Sequence, residues 1–481
     1  MSKNFEKAAG GLYWSSIEKI AQFVLRFIIT TVLARQIGPA AFGIVALVII
    51  FEYFFLYLMD MGLNQVVIQK KNLSSEDINT AFTFNIILGI IFTFIFFSLA
   101  GPISVFFEEN MLKSLIQLMS LKILIISFSR IHIALLDKNF AFKKYACISI
   151  PVRFFSGLIG IICIYQGLEI WSYIYYNLSQ AILLSILMGL FSGYRVRLYF
   201  SIVSLKSMLT FGLQLSLNRI INTFSEKFYY LVIGKYYDSF TLGLFQRADV
   251  IRRSSSEEFS RMFNRVLFPL FSKAKDYSTE LLHYHKNVFP FYAIFFSLMA
   301  CALIGFSDEL IFILLGDDWQ ESALYLKLLA VLGFFNCLNL YFVMIRKSAA
   351  SGKQMLYETI FERSVRLGLL FASLKYGILA VIIGQIIGSA ISFLVRSHFL
   401  RSFFSARAYS FIGSLILPLS ILIFGCVGFL SLNSYGLDLP TILLLKLILV
   451  LILLLSTLCF IRIFYFDEFS FLRYNITKKK V

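Results

Sequence analysis

Apolar runs about 20 residues long, the length a helix needs to cross a hydrocarbon core, recur along this chain with short polar breaks between them. Fourteen such runs fall near 10–34, 41–66, 80–107, 112–136, 145–166, 170–192, 208–232, 241–268, 287–315, 323–345, 356–374, 377–399, 409–432 and 441–465. The first carries a polar stripe: Ser15, Glu18, Gln22, Arg26 and Thr30 recur at steps of three or four and so share one helix face. A charge at the centre of a membrane helix costs about 2.5–3.5 kcal/mol, so this stripe is expected to face a partner or a water-filled cavity.

The device returns 200 residues later. That offset places Glu18 on Asn218, Gln22 on Asn222, Arg26 on Glu226, Arg35 on Lys235 and Gly43 on Gly243. An offset of 209 aligns Asp137, Lys138, Ala141 and Lys144 with Arg346, Lys347, Ala350 and Lys353. A repeat this long is a duplicated bundle. The expected organisation is an N-lobe of six helices (1–192), a cytoplasmic linker (193–206), a C-lobe of six helices (207–402), and two further helices with a basic tail (403–481). Because six is even, the lobes are expected to be related by an axis along the membrane normal. Spans 13 and 14, nearly pure Leu, Ile, Val and Phe with Lys446 as an intramembrane charge, read as lipid-facing additions. Gly38-Pro39, Gly101-Pro102, Pro269 and Gly316 read as helix ends.

Composition narrows the class. With 481 residues, 59% of them hydrophobic, and 54 phenylalanines, the chain is too apolar for a soluble protein and reads as an all-α integral membrane protein. The net charge of +17 would suit nucleic acid, but its placement argues otherwise. Lys3, Lys7, Lys70, Lys71, Lys138, Lys143, Lys144, Arg195, Arg197, Lys206 and the Lys478–Lys480 tail fall on one side of the alternating topology. The acids Glu108, Glu109, Asp308, Asp317 and Asp318 fall on the other. That asymmetry places both termini in the cytoplasm. The first helix has no cleavage site and is expected to stay. Cys147, Cys163, Cys301, Cys337, Cys426 and Cys459 lack metal spacing and read as buried thiols. His132 reads as a packed polar side chain, His283 and His285 as loop residues, and the Asp317-Asp318-Trp319 turn as an anchor at the outer interface.

The candidate chemistry is charge inside the membrane. Arg26, Arg130, Arg153, Arg219, Arg252, Arg253, Arg261, Arg363 and Arg366, with Gln22, Asn218 and Asn222, are the candidate substrate contacts. Glu18, Asp60, Glu226, Asp249 and Glu257 are candidates for charge balance or for a coupling H+ or Na+. No metal, cofactor or catalytic residue is expected. Arginine suits phosphate because its planar fork donates two hydrogen bonds while staying charged. A net-basic site that communicates with lipid fits an undecaprenyl-diphosphate-linked sugar. Snorkelling at helix ends is the competing account for Arg130, Arg153, Arg363 and Arg366, and an ion pair without transport duty the competing account for Glu18 with Arg26.

Several spaced motifs resemble the polysaccharide transporter (flippase) family, the O-antigen and capsule exporters of the multidrug/oligosaccharidyl-lipid/polysaccharide superfamily. They are Leu33-Ala34-Arg35-Gln36-Ile37-Gly38-Pro39-Ala40-Ala41-Phe42-Gly43, Ile68-Gln69-Lys70-Lys71-Asn72-Leu73 with Asn79-Thr80-Ala81-Phe82, Gly243-Leu244-Phe245-Gln246-Arg247-Ala248, Val266-Leu267-Phe268-Pro269 and Leu314-Leu315-Gly316-Asp317-Asp318-Trp319. The resemblance covers about residues 10 to 400. It implies alternating access and flipping of a lipid-linked oligosaccharide from the cytoplasmic to the outer leaflet of a bacterial inner membrane. The partners expected are that substrate, membrane lipids and polysaccharide polymerase or assembly proteins, and no nucleic acid. The rivals are a cation-coupled small-molecule or multidrug antiporter of the same superfamily, a membrane-embedded polymerase or glycosyltransferase, and a non-transporting scaffold of an assembly complex. The arginine excess argues against the first, and the lack of a large external loop argues against the second.

Overall fold

A computed structural model describes residues 2–273, 278–349, 352–403, 413–434, 441–455 and 457. Among them there are helices and connecting turns and no strand. In chain order the helices are α1 (Ser2–Ile37), α2 (Pro39–Asp60), α3 (Leu63–Gln69), α4 (Ser75–Phe107), α5 (Asn110–Lys138), α6 (Phe142–Tyr165), α7 (Glu169–Phe191) and α8 (Ile202–Tyr236). Then come α9 (Ser239–Lys273), α10 (Ser278–Gly305), α11 (Ser307–Leu315), α12 (Glu321–Ala349), α13 (Gly352–Ser373), α14 (Ile378–Phe403), α15 (Gly413–Ser434) and α16 (Thr441–Leu455). Eight of these, α2, α4, α5, α6, α7, α10, α12 and α14, are long and apolar enough to cross a membrane. The chain is an all-α membrane protein. Helices suit that setting because every backbone hydrogen bond closes within the segment.

Helix ends follow local chemistry. Gly38 takes φ 82° before Pro39 opens α2, a backbone region glycine enters without strain. At the start of α4, the Ser74 hydroxyl accepts from the Asp77 N–H at 3.1 Å and Asp77 accepts from the Ser74 N–H at 3.1 Å, a reciprocal capping box. Lys70 adds an ion pair to Asp77 at 2.7 Å. Lys138 donates to the carbonyls of Val67, Ile68 and Lys70, placing a cation on the C-terminal carbonyls of α3.

Several expectations change. The second run breaks at Met61-Gly62 into α2 and α3, and the ninth at Phe306 into α10 and α11. Pro102 and Pro269 lie inside α4 and α9 and end neither, since a membrane helix can resatisfy the freed carbonyl locally. His285 is fully buried in α10, not in a loop; the helix starts at Ser278, and His285 stacks on Phe289 and shares a 3.2 Å hydrogen bond with the Tyr341 hydroxyl. Trp319 is fully buried, so it packs inside the protein instead of anchoring an interface. Cys147 is exposed on α6 and is not the buried thiol expected. Cys301 and Cys337 are buried, Cys163 and Cys426 half-buried, and Cys459 and the Lys478–Lys480 tail lie outside the described residues.

The described residues form two compact units, one of residues 1–243 with 314–318, the other drawn from 244–313 and 319–481. In the first, Leu63, Val66, Val67, Ala81, Phe82, Ile131, Ala134, Leu135 and Met208 form an apolar cluster. Gly43 and Gly243, the glycines paired by the 200-residue offset, lie against each other in the same unit. A β-carbon on Gly43 would meet the Ser239 carbonyl oxygen at 1.7 Å, and one on Gly243 would meet the Pro39 carbonyl oxygen at 2.0 Å. In the second unit an aromatic core gathers Phe263, Phe289, Tyr292, Phe296, Tyr341 and Phe342. There α15 packs on α10, with the Cys301 thiol 3.4 Å from the Ile421 carbonyl oxygen. Lys446 of α16 is buried and pairs with Glu309 of α11 at 2.5 Å. One face of α16 is therefore a protein contact, while Leu444, Leu447 and Leu451 stay exposed.

Candidate functional site

Each unit holds a polar network among apolar helices, and the two differ in how their arginines are neutralised. In the first unit, Arg153 of α6 donates to the Gln22 side chain of α1 and to the Tyr176 hydroxyl of α7, the latter at 3.0 Å. One turn before Arg153, the Ser149 hydroxyl donates to Glu18 at 3.4 Å. The polar stripe of α1 is thus met by a polar stripe of α6. The helices can approach there because Gly157 sits against Ile29 and Gly160 against Tyr176. Arg26 is exposed, and the buried Arg130 Nε has no hydrogen-bond partner among the described residues. Among those residues none of Arg26, Arg130 and Arg153 forms a salt bridge.

A second cluster in this unit joins Glu52, an ionisable residue of the second run, to Lys122, which the sequence reading did not single out. Lys122 of α5 is buried, pairs with Glu52 of α2 at 2.6 Å and donates to Asn177 of α7 at 2.9 Å. The signal was present in the chain: a lysine at the middle of an apolar run requires a partner. His132 shares a 2.7 Å hydrogen bond with the Ser192 hydroxyl and packs its ring edge-on to Phe82. Asp60 is buried and accepts from Asn64.

In the second unit the candidates Arg252, Arg253, Arg261 and Arg366 are compensated. Arg252, 1% exposed, donates to Asp249 at 2.5 and 2.8 Å and to Glu257 at 3.0 Å. Arg253 donates to the other Asp249 oxygen at 2.7 Å. Two arginines and two carboxylates thus close a neutral ladder along α9. Arg261 is exposed and pairs with Glu258 at 2.6 Å. Arg366 pairs with Glu362 at 2.8 Å, and the same carboxylate receives Arg396 of α14. Arg396 also donates to Asn339 of α12 at 3.0 Å, and Arg346 meets Glu358 at 2.6 Å. Arg396, Arg346 and Glu358 complete a network joining α12, α13 and α14 that was absent from the candidate set. Arg363 is half-buried on α13. The side chains of Asn218, Arg219, Asn222 and Glu226 lie outside the described residues. No group of three His, Cys, Asp or Glu residues with metal-binding geometry occurs among the described residues.

Residues 32–324, more than half of the chain, match the family model described as polysaccharide biosynthesis protein. The chain belongs to that family. It is 27% identical over 338 residues to the lipopolysaccharide biosynthesis protein WzxC of Escherichia coli K12, covering 68% of this chain and 67% of that one. It is 22% identical over 323 residues to the succinoglycan biosynthesis transport protein ExoT of Rhizobium meliloti, covering 66% and 64%. In fold it is similar to the lipid II flippase MurJ in an inward closed conformation, with a TM-score of 0.69 at 16% identity over 94% of this chain and 99% of that one. An inward-facing multidrug resistance MATE transporter superposes with a TM-score of 0.60 at 14% identity, over 79% and 96%. This polysaccharide biosynthesis protein is therefore a multi-pass membrane protein with the transporter fold that its loop motifs resemble.

Proposed function

We propose that this family member is a flippase that moves an undecaprenyl-diphosphate-linked oligosaccharide from the cytoplasmic to the outer leaflet of a bacterial inner membrane. In this reading it crosses the membrane fourteen times with both termini cytoplasmic, works by alternating access and performs no covalent chemistry. The observation that carries the reading is the charge of the first unit: among the described residues, no carboxylate is bonded to Arg26, Arg130 or Arg153. Uncompensated guanidinium at membrane depth is costly and marks a place where an anion is taken up. A diphosphate supplies that anion, and its oxygens match the guanidinium fork. Gln22, Ser149 and Tyr176 offer neutral hydrogen-bonding groups beside the arginines for sugar hydroxyls, while the polyprenyl tail stays in lipid.

Arg252, Arg253 and Arg366 are assigned a different duty. A phosphate would have to displace their carboxylates, so these pairs neutralise charge within α9 and α13. Glu18, without a salt bridge among the described residues, is the group assigned to charge balance or to a coupling H+ or Na+. Transport further requires that substrate bind one conformation better than the other, since a ligand with equal affinity for both shifts nothing.

The test is complementation of a strain lacking this gene, scoring surface polysaccharide and lipid-linked precursor at matched membrane expression. Arg153→Ala is expected to stop export with precursor accumulating, Arg153→Lys to rescue in part, and Arg261→Ala to export normally. Normal export by Arg153→Ala would remove the first-unit site from the reading and favour a scaffold role.

A further inference from the structure

The connector between α7 and α8 is not a free loop. The N–H groups of Arg197, Tyr199 and Ser201 donate to the side chains of Asn79 at 2.9 Å, Thr83 at 3.0 Å and Thr80 at 3.1 Å, all on α4. Donors at every second residue are the signature of an extended backbone, here laid along the start of α4 and held by side-chain acceptors instead of a second strand. The near end is tied as well. Asn139 donates to the Tyr194 hydroxyl at 2.7 Å, and the Tyr194 N–H donates to Ser192 at 3.3 Å. Asn79-Thr80 is one of the motifs that carry the family resemblance, and these bonds give it a physical task.

What the strap presents is unusual for a connector. Val196 packs into the apolar cluster of the first unit, but Leu198, Phe200, Ile202 and Val203, which follow it, are exposed. Arg195 and Arg197 are exposed on the alternate positions. The depth fits an interface. With 33 residues α4 is about 50 Å long, against a hydrocarbon core of about 30 Å, and its acceptors lie within about the first two and a half turns. The strap therefore sits at the edge of the bilayer, on the end of the first unit that also carries Lys70 and Lys138.

We propose that residues 195–201, held extended by Asn79, Thr80 and Thr83, form with Ile202 and Val203 at the head of α8 a lipid-docking strap that seats its apolar side chains at the acyl boundary and its two arginines on anionic phospholipid head groups. The occupant is the anionic leaflet of the surrounding membrane. Apolar side chains interleaved with arginine match a surface that is apolar below and negatively charged above. The inference does not depend on the transport reading, since it concerns the surface of the bilayer and no substrate.

The full chain in nanodiscs tests it, with Leu198→Trp as the probe and the signal of the three native tryptophans subtracted using the parent protein. The discs hold phosphatidylcholine with an equal fraction of either phosphatidylglycerol or phosphatidylcholine brominated high in the acyl chain. The added tryptophan is expected to be quenched, about twofold or more strongly by the brominated anionic lipid. Arg195→Gln with Arg197→Gln, both at exposed positions, is expected to bring that ratio to about one. Removing the acceptors, by Asn79→Ala with Thr80→Val and Thr83→Val, is expected to lower quenching by both lipids. No quenching by either lipid, or equal quenching that the arginine variant leaves unchanged, would overturn the proposal.

Discussion

Replacing Gly43 by alanine tests the tightest glycine approach among the described residues. The new β-carbon would lie 1.7 Å from the Ser239 carbonyl oxygen and 2.6 Å from its carbon, about half the ordinary separation of 3.4 Å or more. Both atoms are backbone at the head of a helix, so no side chain can swing aside, and the first turns of α2 and α9 must part by about 1.7 Å at this point. Overpacking in a well-packed interior costs about 1–3 kcal/mol, and a backbone obstacle places this case near 3 kcal/mol. At about 2 °C per kcal/mol for a large domain, the midpoint falls by roughly 6 °C. The assay is thermal unfolding in detergent followed by tryptophan fluorescence, with all variants at one scan rate, because such transitions are rate-dependent. Gly189→Ala is the control: nothing lies within 4 Å of its added β-carbon, so it is expected to be neutral or slightly stabilising. Gly243→Ala meets Pro39 at 2.0 Å, and one separation of the helices relieves both clashes. The double variant should therefore cost less than the sum of the singles. A Gly43→Ala midpoint equal to that of Gly189→Ala would refute the close approach.

Two further outcomes follow from the ion pairs. Lys122→Met leaves the Glu52 carboxylate buried without its cation and is expected to cost about 3–5 kcal/mol, while Glu52→Gln with Lys122→Met recovers most of that loss, read as thermal midpoints. At the end of α4, the hydrogen bond and charge of Lys235 hold the exposed Glu108 carboxyl below its usual value of 4.5. A lowered carboxyl contributes stability above its unfolded value and loses it as pH falls through the folded one. The small difference between the parent and Glu108→Gln should accordingly be constant at neutral pH, shrink below about pH 4.5, and fade at high salt.

The limits of the sequence follow from the range of each interaction. Hydropathy and length identify membrane helices because crossing a bilayer is a condition each segment meets by itself. The ladder of α9 was equally readable, since Asp249, Arg252, Arg253 and Glu257 meet at steps of three to five within one helix. The polar stripe of α1 could be read as needing a partner, but not that the partner is Arg153, 131 residues away. Nor could periodicity tell which arginines are spent. Arg252 and Arg153 look alike in a list of intramembrane charges, yet one is enclosed by two carboxylates and the other by an amide and a phenol. The same holds for Asn79 and Thr80, whose spacing carries a family resemblance while their acceptor role exists only once residues 197–201 are laid beside α4. The sequence by itself determined which segments enter the membrane and which faces are polar, because those are properties of one helix in its solvent. Tertiary structure alone decided which charges are neutralised, because that depends on which helices meet.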